Sequence, residues 1–146
     1  MQESYSSYNM TQNDLERMTR AGNFKLVSDS SFLNTIQLGT AAWLIALSRH
    51  QYLIGRHFTP GTVEIQCSHR SKLSGMLGAI MHTNDLYSQF KIEEGNAELH
   101  CDRQGAVDVI SYFRTSTNPS LKHFNIIHSI MKAITLSPLK WIFKHM

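Results

Sequence analysis

Phe24-Lys25-Leu26-Val27-Ser28-Asp29-Ser30-Ser31 alternates apolar and polar positions and ends in one carboxylate followed by two small hydroxyl residues. A period of two is the signature of a half-buried strand, so the stretch predicts a strand that delivers Asp29 to its C-terminal edge. Ala97-Glu98-Leu99-His100-Cys101-Asp102 has the same form and puts a second carboxylate at a strand tip, before Gln104-Gly105-Ala106. Side by side, two such strands bring two acids to one mouth. Each acid also has a plain local reading. Asp29 can cap a turn with Ser30 or Ser31, and Asp102 can cap the helix that follows it.

Around these strands the chain reads in order. Residues 1–22, rich in Ser, Gln, Asn and Tyr with one weakly helical piece at 14–18, predict a mobile lead-in, and residues 23–146 a folded domain. The apolar run 39–47 and the segment 51–58 follow as second and third strands, with Pro60-Gly61 closing the meander. Residues 68–89 form the strongest helical pattern, with Leu73, Met76, Leu77, Ile80 and Met81 at spacings of three and four and Ser68 placed to cap it. A second stripe holds Gly75, Gly78 and Ala79. Glycine inside a helix costs about 1 kcal/mol against alanine, so paired glycines mark close packing. Lys72 lies one turn before Gly75 and projects toward whatever the helix start faces.

A short helix is predicted over 105–113, a break at 116–120, a further helix carrying Leu121, Phe124, Ile127, Ile130, Met131 and Ile134, and a last strand over 139–144. Strand, helix, strand, helix, strand after a meander implies an α/β fold with a mixed sheet, its later strands parallel. In such sheets the functional crevice lies beyond the carboxyl ends of the strands.

With 146 residues, 42% of them hydrophobic, the chain suits one domain, and 14 basic against 11 acidic residues is only a mild excess. Eight histidines would strengthen any binding to a polyanion below about pH 6.5. Cys67 and Cys101 lack CxxC spacing and a nearby HxxxH, which argues for free thiols rather than a zinc site or a disulfide framework. The histidines at 57, 69, 82, 100, 123, 128 and 145 show no ligand spacing and read as surface or packing residues, and Trp43 and Trp141 as core. No signal-peptide core and no run of ~20 apolar residues is present. A soluble, intracellular protein is expected, with cytoplasm and nucleus not distinguished and the oligomeric state open.

The pieces 27–31 (Val-Ser-Asp-Ser-Ser), 39–43 (Gly-Thr-Ala-Ala-Trp), 68–75 (Ser-His-Arg-Ser-Lys-Leu-Ser-Gly), Cys101-Asp102, 122–124 (Lys-His-Phe) and 141–145 (Trp-Ile-Phe-Lys-His) together resemble the ribonuclease H type 1 family, in particular the degenerate domains of eukaryotic retroelement polyproteins. The resemblance runs in family order from about Phe24 to Met146. It implies a five-stranded mixed sheet flanked by helices, and a family activity of cleaving the RNA strand of RNA/DNA hybrids with two Mg²⁺ ions held by four carboxylates. By position Asp29 is similar to the first acid and Asp102 to the third. Lys72 stands where the family has the second, a Glu on the long helix, and the sequence ends at Met146 before the loop and helix that would carry the fourth.

The resemblance therefore implies a domain that keeps weak affinity for hybrid or duplex nucleic acid, with vestigial Asp29 and Asp102, no bound Mg²⁺ and no efficient catalysis. Lys72 would then serve as counter-ion to both aspartates. A recruited replacement acid, Glu64 or Asp108, would instead keep the chain active. A degenerate fragment or protein-interaction module without nucleic-acid function is the alternative of a different class.

Overall fold

The structure, a computed structural model, describes residues 3–7, 10–48, 50–112 and 123–146. Along the chain come β1 (Glu3–Ser7), α1 (Gln12–Arg20), β2 (Asn23–Leu33), β3 (Leu38–Ala46) and β4 (Tyr52–Phe58). A 3-10 turn at Val63–Ile65 leads to α2 (Ser68–Gln89), then β5 (Gly95–Cys101), α3 (Gln104–Tyr112), α4 (Phe124–Leu136) and β6 (Leu139–His145). The strands form one mixed sheet in the order β1-β4-β3-β2-β5-β6. The meander β2-β3-β4 is antiparallel, and β5 and β6 run parallel to β2, as the alternation of strands and helices implied.

The expected five strands are present, and β1 adds a sixth from within the segment read as a lead-in, pairing Tyr5 with Gly55 on the β4 edge. Its Ser-rich composition hid it, because an edge strand is held by backbone hydrogen bonds that any side chain permits. The helical piece at 14–18 extends to the nine residues of α1, with Thr11 as N-cap and Leu15 buried. Phe113 and the break at 116–120, with Leu121, lie outside the described residues.

Two sequence readings need correction. Asp29 is not at the end of its strand: β2 runs on to Leu33 because its antiparallel partner β3 holds it out to the Leu33–Leu38 pair. What ends near Asp29 is the parallel pairing with β5, whose last pair is Ser28 with Cys101. The cap of α2 is Cys67, not Ser68. Cys67 has extended backbone (φ −161°, ψ 169°) and its Sγ accepts from the Arg70 N–H at 3.4 Å, whereas Ser68 is already helical.

One sheet face is inward, with Phe24, Leu26 and Ser28 of β2 buried on it. Against it lies α2, through Leu73, Met76, Leu77 and Ile80, and α4 adds Ile126, Ile127 and Ile130. The other face exposes Val27, Ile54, Phe58 and Ile142. The seat of α2 is Trp43, 2% exposed, whose indole N–H donates to His82 Nδ1 at 3.0 Å. A Cβ on Gly78 would fall inside that indole, whereas the atoms nearest to one on Gly75 would be the Ser28 and Ala41 Cβ atoms and the Asp29 carbonyl, at 3.4–3.5 Å.

The two glycines of the stripe should therefore behave oppositely. Gly78→Ala should lose about 1–3 kcal/mol by overpacking against Trp43, while Gly75→Ala should be neutral or gain up to about 1 kcal/mol of helix propensity. Urea-unfolding midpoints of the two variants check this, and equal losses would show that Trp43 does not set the approach of the helix.

Candidate functional site

The parallel register decides where the two acids stand. Ser28 pairs with Cys101, and the next residue on each strand is an aspartate, so Asp29 and Asp102 leave neighbouring strands at the same level. Strand alternation turns Ser28 inward and Asp29 outward. The Asp29 side chain is 73% exposed and that of Asp102 42% exposed.

Lys72 is held over both. Gly75, one turn further along α2, rests against Ser28 and the Asp29 backbone, which brings the stem of Lys72 down beside the strand ends. Its side chain is only 13% exposed. Nζ lies 3.2 Å from Asp29 Oδ1, 2.9 Å from Asp102 Oδ1 and 3.4 Å from the Ser30 carbonyl. An ammonium has three N–H donors and no acceptor, and these three groups supply one acceptor for each. The ion pair expected from the sequence is thus present on both carboxylates, with the Ser30 carbonyl as a partner that side-chain patterns do not announce.

The electrostatics follow. Asp29 is held below the ordinary carboxylate range, first by the Ser30 N–H that its Oδ1 accepts at 2.8 Å and then by Lys72, against the opposing effect of partial burial. For Lys72 burial is the largest influence and disfavours the charge, but the hydrogen bonds and charges of Asp102 and Asp29 together outweigh it and raise the lysine. The local capping role of Asp29 coexists with the ion pair. Asp102 stands one residue before Arg103, whose carbonyl accepts the first backbone bonds of α3, from Ala106 and Val107.

Around the cluster, the Asp102 carbonyl contacts His145 Nε2 at 3.1 Å, and Arg103 Nε donates to His69 Nδ1 at 3.1 Å. Beside it on the outer sheet face, an open cavity of about 660 Å³ is lined by Asp29, Ser31, Thr40, Arg56 and Phe58 among others. The candidate replacement acids are employed elsewhere. Asp108 accepts from Gln104 Nε2 at 2.7 Å, and Glu64 sits in the exposed 3-10 turn.

No set of three or more His, Cys, Asp or Glu side chains among the described residues could hold a metal ion. The set formed by Asp29, Asp102 and Lys72 does not fit the pair of divalent cations that the resemblance implies, because two carboxylates with an ammonium between them offer a net single negative charge and a hydrogen-bonded cation at their centre. Both cysteines are free, Cys67 half-buried and Cys101 buried. Burial raises the Cys101 thiol. Of the histidines, His57, His82 and His123 are buried, which is the packing role. Trp43 and Trp141 are core, at 2% and 8% exposure.

The mixed sheet with helices packed against it is an α/β fold of the ribonuclease H-like type. No family model matches the chain, and no curated protein matches it. Among solved structures it is similar to ribonuclease H1 of the halophilic archaeon Halobacterium salinarum, at 12% identity over 86% of each chain with a TM-score of 0.58. It is also matched to the N-terminal ribonuclease H domain of a Mycobacterium tuberculosis protein, solved as a fusion with maltose-binding protein, at 10% identity over 84% of each chain and a TM-score of 0.49. At such identity the likeness is one of fold. Among the described residues no helix is long and apolar enough to cross a membrane.

Lys72→Met keeps the stem and removes the charge, so it isolates the ion pair. Asp29, depressed on folding, contributes stability above its ordinary value of 3.8 and loses it as pH falls through its lower folded value. Lys72, raised on folding, contributes below its ordinary 10.5 and loses it as pH rises through its higher folded value. The variant should therefore be less stable by about 1 kcal/mol near pH 7, a modest figure because both acids are largely exposed. Chemical denaturation at pH 7 and at about pH 2.5 should show the deficit shrink in acid. A deficit independent of pH would assign it to packing.

Proposed function

We propose that this chain is a nucleic-acid-binding domain of the ribonuclease H-like class that does not hydrolyse its ligand, the Lys72 ammonium taking the position that a catalytic cation would occupy. The observation that carries the reading is Nζ at 3.2 Å from Asp29 and 2.9 Å from Asp102. Two-metal hydrolysis needs carboxylates to hold the ions that activate water and stabilise the leaving oxygen. A divalent ion about 4 Å from an ammonium is repelled by roughly 8 kcal/mol at an effective dielectric of about 20. Two carboxylates already engaged by lysine do not offset that.

Affinity for a nucleic-acid backbone is supported by the cavity beside the cluster, where the Arg56 guanidinium, the hydroxyls of Ser31 and Thr40 and the exposed Phe58 ring meet on one face. These are the groups that hold phosphates and sugars without reading sequence. The second reading, a protein-interaction module, is favoured by the exposed Val27, Ile54 and Ile142 on the same face.

The purified protein should leave the RNA of a labelled RNA/DNA hybrid intact in Mg²⁺ or Mn²⁺. Cleavage that disappears in Asp29→Asn would refute this. Binding of the same hybrid, followed by fluorescence anisotropy in EDTA, should weaken about tenfold or more between 50 and 200 mM salt, as phosphate contacts do. Absence of binding at the lower salt would favour the interaction module.

Returning a carboxylate to the helix should restore a cation site. Lys72→Glu should bind Mn²⁺ in calorimetry with a dissociation constant of about a millimolar, where the unaltered protein shows no binding heat. No gain would mean that the helix position does not reach the two aspartates once the ammonium is gone.

A further inference from the structure

The register of the meander sorts the outer sheet face into rows. Asp29 pairs with Ala42 and Ala42 with Arg56, and one row further along Ser31 pairs with Thr40 and Thr40 with Phe58. Side chains two apart on a strand share a face, and Asp29 is on the outer one, so all six stand on it. They line the open cavity of about 660 Å³. Its shape follows from residue size. Ala42, in the middle of its row, barely rises above the backbone, while Arg56 and Phe58 stand along β4 on one side and Asp29 and Ser31 along β2 on the other. The hollow between these walls is two strand spacings across, about 10 Å.

The two walls differ in charge. Asp29 is already met by Lys72 at 3.2 Å. Arg56 is exposed, and no carboxylate among the described residues pairs with it. Such a guanidinium is open to a phosphate, whose oxygens match its fork of N–H donors. Ser31 and Thr40 each add a hydroxyl that can donate and accept. Phe58 is 54% exposed, so core packing does not claim its ring, and it stands two residues after Arg56, about 7 Å along the same strand. An exposed aromatic beside an unpaired cation is the combination that holds single strands, the ring stacking a base and the charge holding the backbone. Within a double helix each base is covered on both faces by its neighbours, so a duplex has no base face to offer the ring. Arg56 can serve either form of nucleic acid, but Phe58 serves only an unpaired one.

Resting on the nucleic-acid reading given above, we infer that the ligand of this face is a single strand and not a duplex. One base lies in the hollow over Ala42 with its face on the Phe58 ring, the adjoining phosphate meets the Arg56 guanidinium, and the sugar lies toward the hydroxyls of Ser31 and Thr40. The Asp29 carboxylate on the opposite wall keeps the phosphate to the β4 side. Contacts to a base face and to the backbone carry no sequence information, so the site is indifferent to sequence.

The test uses one unstructured RNA of about twelve nucleotides, within the span that single-strand sites take. Labelled, it is presented to the full chain first alone and then annealed to its DNA complement, and fluorescence anisotropy is read in EDTA at about 50 mM salt. The single strand should bind about ten times more tightly than the hybrid. Phe58→Ala should weaken the single strand about tenfold, as the loss of one stacked base does, and leave the hybrid as it was, which also shows that the variant is folded. Phe58→Tyr, which keeps a ring, should retain most of the affinity. Arg56→Gln should weaken both forms. A hybrid bound as tightly as the single strand overturns the inference and leaves the nucleic-acid reading in place, as does a Phe58→Ala variant that binds the single strand unchanged or weakens both forms alike. Binding of neither form removes that reading and the inference with it.

Discussion

Two carboxylates on adjacent parallel strands at the same level repel one another, and the register of β2 with β5 gives them no means of parting. The pairing of Ser28 with Cys101 is the last of the ladder, so the backbone fixes both aspartates one residue further on. A cation between them eases that repulsion. Here it is Lys72, brought in by a helix whose own position is dictated by Trp43 and the glycine that faces it. The chain of dependence runs from the flat Gly78 surface to the depth of α2 on the sheet, from that depth to the reach of Lys72, and from Lys72 to the charge state of the strand ends.

The outward direction of Asp29 makes the same cluster part of a surface. Since β2 continues to Leu33, the residues after Asp29 extend along β3 and β4 instead of turning away, and this lays Ser31, Thr40, Arg56 and Phe58 beside the ion pair. Had the strand stopped at Asp29, the cluster would have stood alone at a loop. The longer strand is therefore what joins the ion-paired cluster to the open cavity on the outer sheet face.

Much of this was legible in the residues because it rests on local pattern. Alternation in 24–31 and 97–102 gives the two strands and the three-and-four spacing of Leu73 to Ile80 gives the long helix, whereas the counter-ion role of Lys72 comes only from the family resemblance, a lysine on a helix turn being ordinarily a solvated charge. What the residues did not announce depends on partners far along the chain. The strand β1 is held by backbone bonds to β4, across about fifty residues of sequence. The N-cap role of Cys67 depends on a backbone angle, and in a Cys-Ser pair serine is the more ordinary choice. Arg70, in the polar run Ser-His-Arg-Ser-Lys, reads as a solvated charge; it is buried because Pro60 on one side and His123 and Asn125 on the other fold over it.

The start of α2 carries two cations and no acid in its first turn, the reverse of what the helix dipole favours, which costs some tenths of a kcal/mol for a residue in that turn. The tolerance of that arrangement is explained by where each head goes. Lys72 leaves the helix toward the sheet and meets two carboxylates and a carbonyl, while Arg70 leaves toward the 59–61 loop and α4 and meets carbonyl, amide and imidazole. Each cation also ties the helix start to a separate part of the fold: Lys72 to β2 and to the residue just after β5, Arg70 to the loop after β4 and to the entry of α4. A neutral or acidic residue at either position would suit the dipole better and would remove one of those ties, so the unfavourable charge is retained by the contacts it makes at a distance and not by anything within the helix.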